Sequence, residues 1–206
     1  MPKSSIHRLL LALSRRGVVE RDDHGRYRLG AGLVALGVGV LDREPVVAAA
    51  RAVLPAAVER VGETLFVVAD QGGTLRVVDK CEGGGLLRAA PRIGTDIPVH
   101  CTAVGRLYMA HLADTYGVEM VAAANGVAAS LLTERVADAK ARGWDSNVDE
   151  WQPGLAVLAA PVIVRGSIRA AVALGASTPK LGGEALAPLL VQTANLIAAR
   201  LAGAHS

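Results

Sequence analysis

Two long apolar runs constrain the fold of this chain more than any other feature of its sequence. Residues 155–164 and 168–175 are almost continuously apolar, and Arg165-Gly166 lies in the gap between them. Strands that read as unbroken apolar runs are buried on both faces of a sheet, whereas one-sided strands alternate apolar and polar residues. The two runs therefore predict a pair of strands inside a sheet whose faces are covered by helices.

Further strands and helices are predicted around this pair. A hairpin is expected at residues 65–69 and 75–80 with Gln71-Gly72-Gly73 as its turn, and a third β-rich run follows at 86–90. Helices are predicted at 45–61 with a kink or an interruption at Pro55, at 118–124, at 130–142 with Ser130 or Thr133 as the cap, and at 184–201. This order indicates an α+β domain with a central antiparallel sheet flanked by helices.

The first thirty residues form a separate pattern. Apolar side chains recur at helical spacing within residues 2–13, with an early Pro2 as a start signal, Ser4 as the expected N-cap and Gly17 as the stop. Two short strands, 18–21 and 26–29, follow around a turn in which Gly25 can adopt a positive φ. An amphipathic helix followed directly by a hairpin is typical of a winged helix-turn-helix.

Positive charge is concentrated in the same segment. Residues 1–30 contain seven Lys and Arg against three Asp and Glu, so the net charge of +3 belongs to this segment and the remaining chain is nearly neutral. Lys and Arg neutralise phosphates, which is the main sequence-independent contribution to DNA affinity. Charge alone would equally fit a solvated helix face. The helix, the hairpin and the charge together favour contact with DNA.

A second candidate site lies at the start of a helix predicted from residue 102. The extended tripeptide Pro98-Val99-His100 precedes it, and its first turn comprises Thr102, Ala103, Val104 and Gly105. Free backbone N–H groups at a helix start can hold a carboxylate or another anion. Every helix has such an end, so this feature alone identifies no ligand.

Motifs along nearly the whole chain resemble the IclR family of bacterial transcription regulators. They are residues 2–10, 13–21 and 25–30, then Gly62-Glu63-Thr64, His100-x-Thr102-Ala103-x-Gly105, and Asp149-Glu150-x-x-Pro153-Gly154 followed by residues 158–162. The resemblance implies a ligand-responsive regulator. It implies a partial winged helix-turn-helix in residues 1–30, linker helices in 31–62, and an effector-binding domain similar to a GAF fold in 63–206.

The resemblance also implies the residues that meet DNA. The recognition helix would enter the major groove of a double-stranded operator, and the wing would meet the backbone or the minor groove. The expected contacts are Lys3, Ser4, Ser5, His7 and Arg8 of the helix and Arg26, Tyr27 and Arg28 of the wing. A homodimer or homotetramer is expected. The small residues Ala31, Ala35 and Gly39 would serve either a dimer contact or packing within the monomer.

An effector pocket follows from the same resemblance. The segment from Thr102 through Ala103 and Val104 to Gly105 would line it. Four more positions stand where relatives that bind small carboxylates usually have Asp, Cys, Ser and Ser: Asn147, Val157, Ala173 and Gly175. We therefore expect a larger or more apolar organic acid, such as an aromatic acid or a lactone-like relative, anchored at the helix start.

One feature of the family pattern leaves an alternative function open. Winged helix-turn-helix domains have one or two helices before the recognition helix, and this sequence begins at that helix. Its apolar residues would then lack packing partners worth roughly 1.5–3 kcal/mol each: Ile6, Leu9, Leu10 and Leu13. Either this start is internal to a longer protein that contains those helices, or the chain is a truncated small-molecule sensor or dimerisation partner without independent DNA binding.

Enzymatic and metal-dependent functions have no support in the residue pattern. The histidines and the two cysteines are not grouped at metal-ligand spacing, and no Gly-x-Ser-x-Gly motif occurs. Asp149 and Glu150 fall in residues 145–154, which we predict to be an acidic surface loop. No cofactor is expected. The longest apolar stretch, 29–41, is shorter than the roughly 20 residues of a membrane span, and without a signal peptide we expect a cytoplasmic protein with no membrane partner.

Overall fold

The computed structural model describes residues 2–41, 44–84, 91–177 and 183–203. The chain forms two compact units, a smaller one that ends at Glu44 and a larger one that begins at Pro45. The predicted linker of residues 31–62 falls partly in each unit. The predicted strand at 86–90 lies outside the described residues.

The smaller unit contains a helix, a hairpin and a second helix: α1 (Lys3–Arg15), β1 (Val19–Arg21), β2 (Tyr27–Leu29) and α2 (Gly32–Leu41). Pro2 is the N-cap of α1, and its carbonyl oxygen accepts hydrogen bonds from the N–H groups of Ser5 and Ile6. The expectation that Ser4 caps this helix is wrong, because the cap at Pro2 places Ser4 inside the first turn.

Three glycines join the elements of the smaller unit. Gly17 has a φ of +67° and ends α1, as predicted. A Cβ on Gly30 would lie 2.2 Å from the carbonyl oxygen of Gly17, and one on Gly32 would lie 2.7 Å from that of Arg16. Because no side chain fits at these distances, the hairpin and α2 can approach the end of α1 only with glycine at both positions.

The larger unit begins with two short helices, α3 (Pro45–Arg51) and α4 (Leu54–Val61). Of the predicted kink or interruption near Pro55, the structure shows an interruption, which lies between Arg51 and Leu54. Pro55 lies in the first turn of α4, where its missing N–H leaves no helical hydrogen bond unmade. Gly62 ends α4 in the left-handed conformation, with a φ of +75°.

A five-stranded antiparallel sheet forms the centre of the larger unit as far as it is described. Its strands stand in the order β4-β3-β7-β6-β5: β3 (Thr64–Asp70), β4 (Leu75–Cys81), β5 (Asp145–Val148), β6 (Leu155–Val164) and β7 (Ser167–Ser177). The two apolar runs of the sequence are the paired strands β6 and β7, with buried residues on both faces, as predicted. Arg165 and Gly166 form the turn between them, both with positive φ.

Strand β5 corrects the expectation of an acidic loop over residues 145–154. Its four residues pair with β6, from Asp145 opposite Ala159 to Val148 opposite Ala156. Asp145 and Asn147 are buried, so polar side chains occupy the positions where a half-buried strand usually carries apolar ones. For that reason the sequence pattern does not indicate a strand at these residues.

Helices cover both faces of the sheet. On one face lie α3, α4 and α8 (Ala187–Gly203), which follows a 3-10 turn at Gly183–Leu186; on the other, α5 (Ala103–His111) packs on the sheet, α7 (Ala129–Arg142) on α5, and α6 (Val118–Asn125) on α7. The predicted caps Ser130 and Thr133 are wrong. Helix α7 begins after Ala128, and the Thr133 hydroxyl donates to the carbonyl of Ala129 inside the helix.

Candidate functional site

The residue directly before α5 caps the start of this helix with its side chain. Thr102 is the N-cap, and its Oγ1 accepts a hydrogen bond from the N–H of Gly105 at 3.0 Å. The same hydroxyl donates to the carbonyl oxygen of Pro98 at 2.6 Å. Because its single hydrogen is already donated, the Thr102 side chain shapes the turn rather than offering a donor to a ligand.

Gly105 has a structural reason to lack a side chain. A Cβ at this position would lie 2.0 Å from the carbonyl oxygen of Val99. The extended segment before α5 therefore crosses the helix where only glycine leaves room. Of the four predicted residues of this turn, Gly105 and Thr102 hold the backbone in place. Ala103 and Val104 contribute the N–H groups at the helix start that Thr102 does not accept.

Asn147 lies in front of this helix start. Its Oδ1 accepts a hydrogen bond from the N–H of Ala103 at 2.8 Å, and the residue is only 1% exposed. This bond determines which end of the amide faces α5, because an NH2 group there would meet another donor. The Nδ2 atom is buried and has no hydrogen-bond partner among the residues that the structure describes.

The N–H of Val104 is a second donor at this place. Asn147 takes the N–H of Ala103, and Thr102 takes that of Gly105. Within the described ranges, no hydrogen bond uses the N–H of Val104. The N–H groups of a first helical turn leave the helix at the same end, and Asn147 is bonded to one of them, that of Ala103. Two donors without a partner among the described residues, the Val104 N–H and the Asn147 Nδ2, therefore belong to groups at the start of α5.

The four predicted pocket positions on the sheet share the face that α5 covers. Asn147 is opposite Val157, and Val157 is opposite Gly175, so these three residues form one row across β5, β6 and β7. Ala173 stands in the adjacent row, opposite Ala159. The structure thus brings the predicted positions together beside the start of α5.

A buried ion-pair cluster lies next to this row. The Arg106 guanidinium is 0% exposed and donates to Asp145 at 2.5 Å, to Glu150 at 3.1 Å and to the carbonyl oxygen of Ser146 at 2.9 Å. Glu150 also receives both terminal nitrogens of Arg135, at 2.5 and 2.7 Å. Sequence reasoning missed Arg106. The available signal was a single charged residue, Arg106, within the otherwise apolar stretch of residues 103–110.

Burial and ion pairing act in opposite directions on the two carboxylates of this cluster. Burial raises the pKa of Asp145, although the Arg106 guanidinium opposes it. Burial also acts to raise the pKa of Glu150, but the hydrogen bonds and charges of Arg135 and Arg106 lower that pKa overall. With both acids ionised, the two cations and two anions balance.

The residues predicted to contact DNA lie on the accessible surface of the smaller unit. Helix α1 has no buried residue, and its apolar Ile6 and Leu9 are 43% and 53% exposed. Two of the predicted contacts, Ser5 and Tyr27, are half-buried. The others are exposed: Lys3, Ser4, His7, Arg8, Arg26 and Arg28.

Both predicted wing arginines pair with acids of their own hairpin. Arg26 donates to Asp22 at 2.9 Å and Arg28 donates to Glu20 at 3.0 Å. Asp22 also accepts the backbone N–H groups of His24 and Arg26, and the latter bond is the largest cause that lowers its pKa. The pair of Arg28 and Glu20 could have been found from the hairpin register, which sets these two residues opposite each other.

The described part of the chain contains neither a cluster of metal-ligating side chains nor a thiol with raised reactivity at Cys101. No three His, Cys, Asp or Glu side chains there could hold a metal ion together. Burial is the largest cause that raises the pKa of Cys101, and nearby Glu150 adds to it, which disfavours the reactive thiolate. Within the same residues, no helix has the length and apolar character needed to cross a membrane.

Similarity to known proteins covers both units. Residues 38–199 match the family model described as the bacterial transcriptional regulator IclR C-terminal domain, and residues 1–23 match the IclR helix-turn-helix domain. The chain is 29% identical over 188 residues to the probable transcriptional regulator SauR of Cupriavidus necator, which covers 87% of this chain and 74% of SauR.

Solved structures show the same fold. The IclR transcriptional regulator from Alicyclobacillus acidocaldarius has a TM-score of 0.83 at 22% identity, over 98% of this chain and 86% of that one. An IclR homologue from Microbacterium hydrocarbonoxydans, complexed with 4-hydroxybenzoate, has a TM-score of 0.80 at 20% identity, over 98% and 87%. The chain belongs to the IclR family and is a transcriptional regulator with a DNA-binding helix-turn-helix segment and a C-terminal effector-binding domain.

Proposed function

We propose that the effector of this regulator is an organic acid whose carboxylate accepts hydrogen bonds from the Val104 N–H and the Asn147 Nδ2. The proposal is carried by the buried Asn147 amide nitrogen, which has no partner among the described residues. An unpaired buried donor costs about 1–3 kcal/mol. A ligand oxygen would remove this cost, and a negative charge would also gain from the positive end of the α5 dipole.

Asn147 also indicates which part of the ligand lies here. The side-chain oxygen is occupied by the Ala103 N–H, so only the amide hydrogens remain for a ligand. An Asp at this position, which the family resemblance associates with small carboxylates, offers oxygens alone. We therefore expect this pocket to prefer a ligand that presents a carboxylate or carbonyl oxygen at Asn147.

The sheet beyond Asn147 supports an apolar ligand body. Val157, Gly175 and Ala173 carry no hydrogen-bonding side chain, and Val157 and Ala173 are buried. A ligand that extends along this row would gain by apolar contact rather than by polar orientation. The homologue complexed with 4-hydroxybenzoate shares the fold, which supports an aromatic acid as the ligand class.

Calorimetric titration tests the effector class. Benzoate and 4-hydroxybenzoate should bind at least about tenfold more tightly than acetate and glyoxylate, because the ring adds apolar contact area worth more than 1.4 kcal/mol. Tighter binding of acetate or glyoxylate would contradict this part of the proposal.

We also propose that α1 and the wing bind the operator through the eight predicted residues. The exposed Arg8 and Lys3 are available for phosphates or bases without rearrangement. Arg26 and Arg28 would exchange their surface ion pairs for phosphate contacts, and solvent-exposed pairs of this kind contribute little to stability. The exposed α2 residues Val34, Leu36 and Val38, 69%, 58% and 51% exposed, support a homodimer or homotetramer that covers them.

Salt-dependent binding tests the DNA surface. With one fixed duplex, Arg8→Ala should lower the affinity and reduce the slope of log K against log salt concentration by about 1, since one phosphate contact is lost. Arg169→Ala, which removes the same charge from an exposed position of β7, is the matched control and should leave the slope unchanged. Equal slopes for both variants would argue against α1 as the recognition helix.

A further inference from the structure

We infer that Arg106 is a positioning residue of the effector site, an inference that rests on the proposed function. Its guanidinium binds three acceptors that flank Asn147 along the chain: Asp145, the carbonyl of Ser146, and Glu150. Arg106 itself stands on α5, directly after the turn that carries the Val104 N–H. One side chain thus ties together the two elements that supply the proposed ligand donors.

The strand that carries Asn147 needs such a contact. Strand β5 has four residues and a sheet neighbour, β6, on one side only among the described strands. Asp145 and Asn147 face the interior from it, so apolar burial contributes little to its attachment. Its backbone pairs with β6 on that one side, and on the face toward the helices polar contacts to α5 hold it, through Arg106 and through the hydrogen bond between Asn147 and Ala103.

The choice of arginine supports positioning rather than stability alone. A buried ion pair is often no better for stability than well-packed apolar residues of similar volume. Arginine, however, has a planar fork that holds several acceptors at defined angles. Here it holds Asp145 through Nε, Glu150 through Nη1 and the Ser146 carbonyl through Nη2.

Glu150 continues the contact to the outer helix. Its carboxylate receives Arg106 from α5 and both terminal nitrogens of Arg135 from α7. The turn after β5 is thereby held from two helices, while Asp145 holds the beginning of the strand. The Asn147 amide lies between these two attachments, and its orientation depends on both.

An NMR experiment on the ligand-free full chain tests the positioning. The side-chain NH2 signals of Asn147 are assigned by their loss in Asn147→Ala. In Arg106→Lys, which keeps the charge but loses the fork, we expect these signals to move by more than their linewidth or to split. Asp145→Asn keeps an acceptor for Arg106 but removes the charge, and it replaces Arg106→Lys in this test if that variant does not fold. We expect it to move the Asn147 signals in the same way. The control is Arg76→Lys, a position of β4 whose side chain forms an exposed ion pair with Asp96, and it should leave the Asn147 signals unchanged.

Titration with benzoate gives the second readout. Arg106→Lys should weaken benzoate binding roughly tenfold in the wild-type background and should add nothing in the Asn147→Ala background, because it acts through Asn147. Additive losses, or unmoved Asn147 signals in the variants that fold, would overturn the inference. If Asn147→Ala leaves benzoate binding unchanged, the proposed function fails, while the NMR result still decides whether Arg106 positions the amide.

Discussion

The two compact units differ in where their apolar side chains lie. Among the described residues, the smaller unit buries a single residue, Gly30, yet it contains seven of the thirteen large hydrophobic residues that are exposed. In the larger unit, all six residues from Leu155 to Ala160 are buried. The smaller unit is therefore held by local features such as caps, glycines and hairpin pairs, and the larger unit by long-range burial.

Hydrogen exchange should show the largest contrast between the units. We expect the backbone amides of β6 and β7 to exchange at least about a thousandfold more slowly than those of α1, because opening the sheet requires exposure of the core whereas α1 can open locally. Exchange followed by NMR or mass spectrometry measures both. Equal protection of α1 and β7 would contradict the view that the smaller unit has little core of its own.

Two glycine substitutions sharpen the same comparison. Gly105→Ala should lower the free energy of unfolding of the larger unit by about 2–4 kcal/mol, because its Cβ would lie 2.0 Å from the Val99 carbonyl oxygen. Urea unfolding followed by circular dichroism measures this loss.

The matched variant lies in the smaller unit. Gly37→Ala in α2 meets nothing within 4 Å and should stabilise that helix by about 0.5–1 kcal/mol, since alanine is the better helix former. Hydrogen exchange of α2 amides measures this gain. A cost at Gly37 as large as that at Gly105 would show that α2 is packed more tightly than its exposed side chains indicate.

Acid unfolding tests the charged cluster of the larger unit and has the smallest expected effect. The folded pKa of Glu150 lies below its ordinary value of 4.5, so its ion pairs stabilise the protein above that pH and are lost as the pH falls through the lower folded pKa. Asp145, whose pKa is raised, contributes in the opposite direction.

The variant Glu150→Gln removes the first of these contributions. Stability measured against pH should therefore fall less steeply below about pH 4.5 in Glu150→Gln than in the wild type. An unchanged slope would show that the Arg135 and Arg106 contacts of Glu150 do not stabilise the folded chain.

The parts of the fold that the sequence predicts are those with local or repetitive signals. Helix α1 and the hairpin follow from spacing and from Gly17 and Gly25, and β6 and β7 follow from unbroken apolar runs. Strand β5 could not be predicted, because its inward positions are polar and make sense only beside Arg106, which is about forty residues away in the sequence. Pairing between distant residues leaves no periodic pattern to read.

The candidate site shows the same division. The start of α5 was predicted from its sequence, and the importance of position 147 was implied by the family resemblance. The roles within the site came only from the structure: Thr102 and Gly105 shape the turn, while Val104 and Asn147 keep donors that no described residue accepts from. These roles depend on which partner takes each hydrogen bond, and spacing in the sequence does not determine that.

One measurement tests the central claim most directly: the affinity of Asn147→Ala for the tightest-binding acid among benzoate, 4-hydroxybenzoate, acetate and glyoxylate. The matched control is Asn125→Ala, which removes an amide that donates to its own helix at Val121. We predict a loss of about tenfold or more for Asn147→Ala, the worth of one hydrogen bond to a charged group, and no change for Asn125→Ala. Equal affinities in the two variants would contradict an effector site built on the Asn147 amide and the start of α5.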